Sequence, residues 1–198
     1  DFGYIPVGRL LERTDATLST LEDLDRYRGH FYNWYDTRTL DPLPPAYVSS
    51  VDSGNLAGHL LALEQACMEI TRAPVFSARD LTGVRDAVLL MREALDAASD
   101  ERRTLTVDRE QVQAALEEVE SLLAFVPTGV SDWVTQWRKL ESAGQDLLDI
   151  AQTFAGERSE LAQSEVLAWA EDIHDAASSH ARDVHLLAMV FSATLFTV

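Results

Sequence analysis

Apolar residues recur every three or four positions through most of the second half of this chain, and that spacing constrains the fold more than any other feature. Leu81, Val84, Val88, Met91 and Leu95 step by 3, 4, 3, 4. Val112, Leu116, Val119, Leu123 and Val126 follow the same rule, as do Trp133, Trp137, Leu140, Gly144, Leu147, Ala151 and Phe154. Val166, Ala170, Ile173 and Ala177 open a last run. A 3.6-residue period places such positions on one stripe of a helix, whereas a half-buried strand would alternate every second residue. The spacing predicts an all-α chain of helical hairpins with coiled-coil-like packing. Acids outnumber bases roughly two to one over Asp80–Glu160, which suits a solvated outer face.

Stops and caps divide these runs. Ser77 with Asp80 three residues later reads as a capping arrangement before the first stripe. The polar stretch Asp100–Asp108 separates the first two stripes. Pro127-Thr128-Gly129 stops the second, Ser131 caps the third and Gly156 closes it. Short breaks favour antiparallel neighbours.

The first 75 residues have a different texture. Leu11, Thr14, Leu18 and Leu21 predict a helix from about Gly8 to Tyr27. Asp41-Pro42-Leu43-Pro44-Pro45 cannot be helix interior, because proline removes the amide donor and restricts the residue before it. Phe31–Tyr35 reads as a short extended segment, Asp36–Arg38 as a turn and Pro42–Val48 as a loop. A second helix is expected to start at Asp52 or Ser53 and to bury Leu56, Leu60, Leu63 and Cys67, with Pro74 ending the unit. The division expected is an aromatic-loop helical unit over 1–75, an acidic heptad-like region over 76–185 and an apolar tail over 186–198.

Charge narrows the function classes. The net charge of −17 argues against nucleic acid, whose phosphates demand basic patches, and against docking on anionic lipid. The apolar tail falls short of the roughly 18 uninterrupted residues of a membrane span, so no direct membrane span is expected in this segment. Cys67 is the sole cysteine, which leaves no internal disulfide, and its helical spacing predicts a buried structural thiol. The chain opens on Asp1 rather than Met, as expected of a piece of a longer protein. There is no glycine-rich phosphate loop, no nucleophile elbow and no cysteine metal pattern, so no cofactor is expected. His174, His180 and His185 are spaced by 6 and 5, not the four residues a helical zinc pair uses, so no metal site is expected.

The candidate site lies between the first two helices. Gly29-His30-Phe31-Tyr32-Asn33-Trp34-Tyr35-Asp36-Thr37-Arg38 gathers aromatics, a carboxylate and a guanidinium in one irregular stretch. An aromatic face stacks on the C–H groups of a pyranose, and neighbouring charged groups bond its hydroxyls. Trp34, Tyr35, Asp36, Arg38 and Asn55 are the candidate substrate-binding residues. The same aromatics would equally plug the top of a helical core. Asp36 and Asp52 are weak candidates for a catalytic carboxylate pair; Asp36 equally suits a turn bonding its own backbone and Asp52 a helix cap. Asn55 suits either holding the aromatic loop or touching a ligand. Trp133 and Trp137, one turn apart on an apolar stripe, read as core.

This run, continued by Leu43-Pro44-Pro45 and by Val48-Ser49-Ser50-Val51-Asp52-Ser53-Gly54-Asn55-Leu56-Ala57-Gly58, resembles a segment of the bacterial cyclic β-1,2-glucan synthases. The resemblance is dense over about Asp1–Cys67 and weak beyond, apart from Ser179-His180-Ala181-Arg182-Asp183. It implies the segment leading into the glycoamylase-like middle domain, and with it part of an (α/α) toroid around a sugar cleft. It implies a parent hexosyltransferase that makes β-1,2-glucan from UDP-glucose and cyclises it by transglycosylation. It also implies neighbouring domains of a longer chain, at the cytoplasmic side of the bacterial inner membrane, and β-1,2-glucan as a partner. The family's catalytic glutamates have no counterpart here, so the isolated chain is expected to contribute glucan binding or scaffolding rather than catalysis alone. The alternative is a non-catalytic helical scaffold or domain-docking module.

Overall fold

The computed structural model describes residues 3–98, 109–156 and 161–195, the side chains of 161–164 and 190–195 excepted. The protein is all-α: the described residues form six α-helices and one two-stranded hairpin. They divide into two compact units, Leu11–Val75 and Asp1–Leu10 with Phe76–Val198.

The larger unit is a four-helix bundle. A 3₁₀ turn, Ala78–Leu81, leads into α3 (Thr82–Ala97); α4 is Arg109–Leu123, α5 Val130–Gly156 and α6 Leu161–Leu195. Two helices precede these in the chain, α1 (Val7–Asp23) and α2 (Ser50–Ile70). Each helix packs on two others: α3 on α4 and α6, and α5 on α4 and α6. Neighbours run antiparallel. Arg85 donates to the Leu123 carbonyl, Arg92 to Glu120 at 2.6 Å and Arg109 to Asp96, so positions climb on α3 as they fall on α4. Trp137 meets His180 and Gly144 meets His174 in the same opposed order on α5 and α6.

The predicted stripes form the core. Leu81, Val84, Val88, Met91 and Leu95 are buried, as are Val112, Leu116, Val119 and Leu123. Trp133, Trp137, Leu140, Leu147, Ala151 and Phe154 fill the α5 side, and Val166, Ala170, Ile173 and Ala177 the α6 side, continued by Ala181 and Val184. Each large side chain so buried contributes roughly 1.5–3 kcal/mol before entropy is charged against it. Val126 departs from its stripe: α4 ends at Leu123, and Val126 is exposed in the loop before the buried Pro127. The capping box at Ser77 is formed, with Ser77 Oγ accepting from the Arg79 amide and Asp80 returning to the Ser77 amide at 2.8 Å. The break expected over Asp100–Asp108 lies outside the described residues. The bundle interior is filled by side chains, and no toroid is outlined by the described residues.

The smaller unit differs from expectation in three places. α1 is Val7–Asp23, ending short of Tyr27. Arg26–Tyr27 (β1) instead pairs antiparallel with His30–Phe31 (β2) around a turn in which Arg28 has φ 53° and Gly29 φ 87°. Two consecutive left-handed residues match the right-handed twist of a tight hairpin, and glycine adopts that region without a Cβ penalty. α2 is Ser50–Ile70, begun by Ser49, whose Oγ accepts from the Asp52 amide at 3.2 Å. The cap therefore lies three residues before Asp52. Cys67 is exposed, Leu60 is exposed, and Leu56 and Leu63 are only half-buried. The physical reason is that apolar and polar residues are mixed around α2, with Val51, Leu61 and Met68 exposed as well, so its leucine stripe is not set apart as a single buried face. No described helix is long and apolar enough to cross a membrane.

Candidate functional site

The aromatic run folds into a loop closed by two sets of hydrogen bonds. At its base the Asn33 amide donates to the Tyr47 carbonyl at 2.8 Å, and Asn33 Oδ1 accepts from the Ser49 amide at 3.1 Å. Asn33 thereby ties the loop to the residue that caps α2. Nearer the tip the Leu43 amide donates to Trp34 O and the Asp36 amide to Asp41 O, both at 3.0 Å, with Tyr35 and Pro42 bridged.

Asp36 builds the tip. Its Oδ1 accepts from the Arg38 amide at 2.8 Å and the Thr39 amide at 3.3 Å, and its carbonyl accepts from the Leu40 amide at 2.8 Å. This is the side-chain-to-backbone turn open to short acidic residues. Leu40 takes the left-handed conformation, φ 64°, which is costly for a residue with a branched side chain and is held by the bonds around it. The Arg38 Nε lies 3.7 Å from Asp36 Oδ1.

Tyr35 is a strut within this fold. Its hydroxyl donates to Asp25 O at 2.7 Å and accepts from the Tyr32 amide at 2.8 Å, and its ring meets Tyr32 edge-on, centroids 6.2 Å apart. Trp34 is different: 65% of its surface is exposed, although its own carbonyl is fixed in the ladder. The Arg38 side chain is 88% exposed and that of Asp36 29%. Of the four neighbours singled out in sequence, Trp34 and Arg38 face solvent, while Tyr35 and Asp36 shape the loop that carries them.

The remaining candidates lie on α2. Asp52 is exposed in the first turn, where a carboxylate complements the helix dipole. Asn55 is exposed, and none of the bonds that close the loop reaches it. The residue that sequence reasoning passed over is Asn33. An amide embedded in Phe31-Tyr32-Asn33-Trp34-Tyr35 was the available signal, since such a group needs partners when half-buried. The hairpin before the loop carries two stacked guanidiniums: Arg26 lies 4.7 Å from the Phe31 centroid, and Arg28 5.4 Å from that of Tyr27.

No family model matches the chain. A curated relative does: the cyclic beta-(1,2)-glucan synthase NdvB of Rhizobium meliloti (strain 1021) is 33% identical over 183 residues. The chain resembles a cyclic β-1,2-glucan synthase along nearly its whole length. The match covers 92% of this chain and 6% of that protein. A match of 183 residues takes in the four-helix bundle as well as the aromatic loop, so the similarity reaches well beyond Cys67, where the loop residues alone had left it weak.

Proposed function

We propose that this chain is a glucan-handling segment of an enzyme that makes or cyclises β-1,2-glucan. In this reading it supplies a sugar contact and a helical support rather than the reacting groups. One observation carries it: Trp34 is exposed on a loop whose backbone is bonded on both sides of it. An indole held in that way offers a flat apolar face at little entropic cost. Arg38, four residues on in the same loop, supplies exposed guanidinium donors, and Asp36 keeps part of its carboxylate surface open to hydroxyls. Tyr35 acts through the loop. Asn55 and Asp52 lie on the helix that follows, and a catalytic role for Asp36 with Asp52 draws no support from an arrangement in which one closes a turn and the other sits exposed at a helix start. The parent's synthase chemistry and its β-1,2-glucan come to this chain through the relative's name, and neighbouring domains are proposed because the match spans only 6% of that protein.

The scaffold reading has its own support in the bundle, whose packed interior leaves that unit with a structural character. The two readings separate on titration of linear and cyclic β-1,2-glucan into the chain, followed by tryptophan fluorescence, with Trp34→Ala alongside. Saturable quenching or enhancement lost in Trp34→Ala supports the sugar contact. An unchanged spectrum up to millimolar glucan, in this chain and in the parent enzyme, leaves the scaffold reading standing.

A further inference from the structure

Ahead of α1, residues Gly3–Pro6 run irregularly against the four-helix bundle, and together with the first turn of α1 they are fastened there at three points. The Gly3 carbonyl lies 3.3 Å from His180 Nε2 on α6. The Tyr4 hydroxyl donates to Asp86 Oδ2 on α3 at 2.8 Å. The Gly8 amide donates to Asp183 Oδ2 on α6 at 2.6 Å. Asp183 thus serves the first turn of α1 as an N-cap would, from 175 positions away. The approach is close enough to exclude side chains: a Cβ on Gly83 would run into the Gly3 carbonyl, and one on Gly8 into the Asp183 carboxylate.

His180 is the titratable group beneath this segment. It is 4% exposed, with the Trp137 ring of α5 stacked on it at 4.3 Å and the Gly3 carbonyl at its Nε2. Neutral imidazole satisfies that carbonyl with one N–H. A second proton creates a cation that water cannot reach. Asp80 in the 3₁₀ turn and Asp183 on α6 attract that charge, as does the carbonyl. Asp86 on α3 is engaged by Tyr4, and α5 presents the Trp137 ring. Arg79 and Arg182, beside those two aspartates in sequence, carry charge of the opposing sign. Burial outweighs the attraction and holds the imidazole below its ordinary range. Lifting the segment would return His180 to water, where it binds a proton more readily. Acid therefore favours the lifted state by linkage.

We propose that Gly3–Gly8 is an acid-released strap, fastened while His180 is neutral and freed, together with the first turn of α1, when His180 is protonated. Release removes the hold of the bundle on the start of α1, the helix that continues into the smaller unit.

Amide hydrogen exchange on the whole chain tests this, read as protection factors at about pH 7.5 and about pH 5.5 so that the intrinsic pH dependence divides out. Gly8 and Leu10, whose amides bond Asp183 and Pro6, are expected to lose protection several-fold at the lower pH, while Leu140 and Leu147 keep theirs. In His180→Gln, which retains a side-chain N–H but does not titrate, that pH dependence is expected to vanish. Protection at Gly8 and Leu10 that is the same at both pH values, or that falls in step with Leu140 and Leu147, overturns the proposal. So does an undiminished pH dependence in His180→Gln. Should that variant not fold, the native chain decides: the NMR titration midpoint of the His180 ring is compared with that of the Gly8 amide, and separate midpoints overturn it.

Discussion

The indole of Trp137 lies flat on the imidazole of His180, ring centroids 4.3 Å apart and planes 9° from parallel. The pair joins α5 to α6 and holds the N-terminal segment at the imidazole's Nε2 through the Gly3 carbonyl. Among the described residues the indole N–H has no hydrogen-bond partner, so packing is what holds Trp137 there. Such a pairing ties bundle stability, the attachment of residues 3–8 and pH to one place.

Trp137 is 1% exposed, and Trp137→Ala should destabilise the chain by about 3–5 kcal/mol. Trp137→Phe keeps most of the packing and removes the unpartnered N–H, so its loss should be much the smaller. Urea unfolding midpoints for the two variants check this. Equal losses would mean that indole shape, not buried volume, holds the site.

His180 has a depressed folded-state value against an ordinary one of 6.5, with burial the main cause and Asp80, the Gly3 carbonyl and Asp183 opposing it. The unfolded chain therefore takes up the proton first. The stability contributed by neutral His180 is present above pH 6.5 and is lost as pH falls through the folded value. Unfolding midpoints should drop more between about pH 7.5 and pH 5 in the native chain than in His180→Gln. Parallel curves would remove His180 from the acid response.

Trp34 is largely exposed, and Trp34→Ala should change stability by no more than about 0.5 kcal/mol. Glucan affinity of the parent enzyme should fall about ten-fold or more, which corresponds to about 1.4 kcal/mol. Both are measured on the same variant. A loss of folding stability with glucan affinity unchanged would assign Trp34 to packing.

Asn33→Ala removes the acceptor of the Ser49 amide and should cost about 1 kcal/mol. The effect should be local: protection of the Ser49 amide falls, and glucan binding weakens although Asn33 need not touch sugar. Isothermal titration and amide exchange report the two arms. Unaltered Ser49 protection would show that the loop closes without this bond.

The four stripes of the bundle were legible because helix period and burial coincide: each residue from Leu81 to Ala177 on a stripe is placed by its near neighbours. The capping box at Ser77 was legible for the same local reason. α2 departs from its expected burial because Asp52, Asn55, His59, Glu64, Gln65 and Glu69 are spread among its apolar residues, so a leucine stripe ending at Cys67 carries no sign of which side is covered. The hairpin Arg26–Phe31 escaped notice because two-residue strands give no alternation to read.

By itself the sequence determined the all-α class, the register of α3 to α6, the loop between α1 and α2 and the resemblance that names its relatives. Only the tertiary structure decided that Trp34 is exposed while Tyr35 and Asp36 are engaged, that Asn33 ties the loop, and that Asp183 caps α1. Those facts depend on which groups meet across the chain. Burial periodicity is a property of a few successive turns and is written locally. A hydrogen bond between residues 175 positions apart exists only once packing has brought the start of α1 against the body of α6.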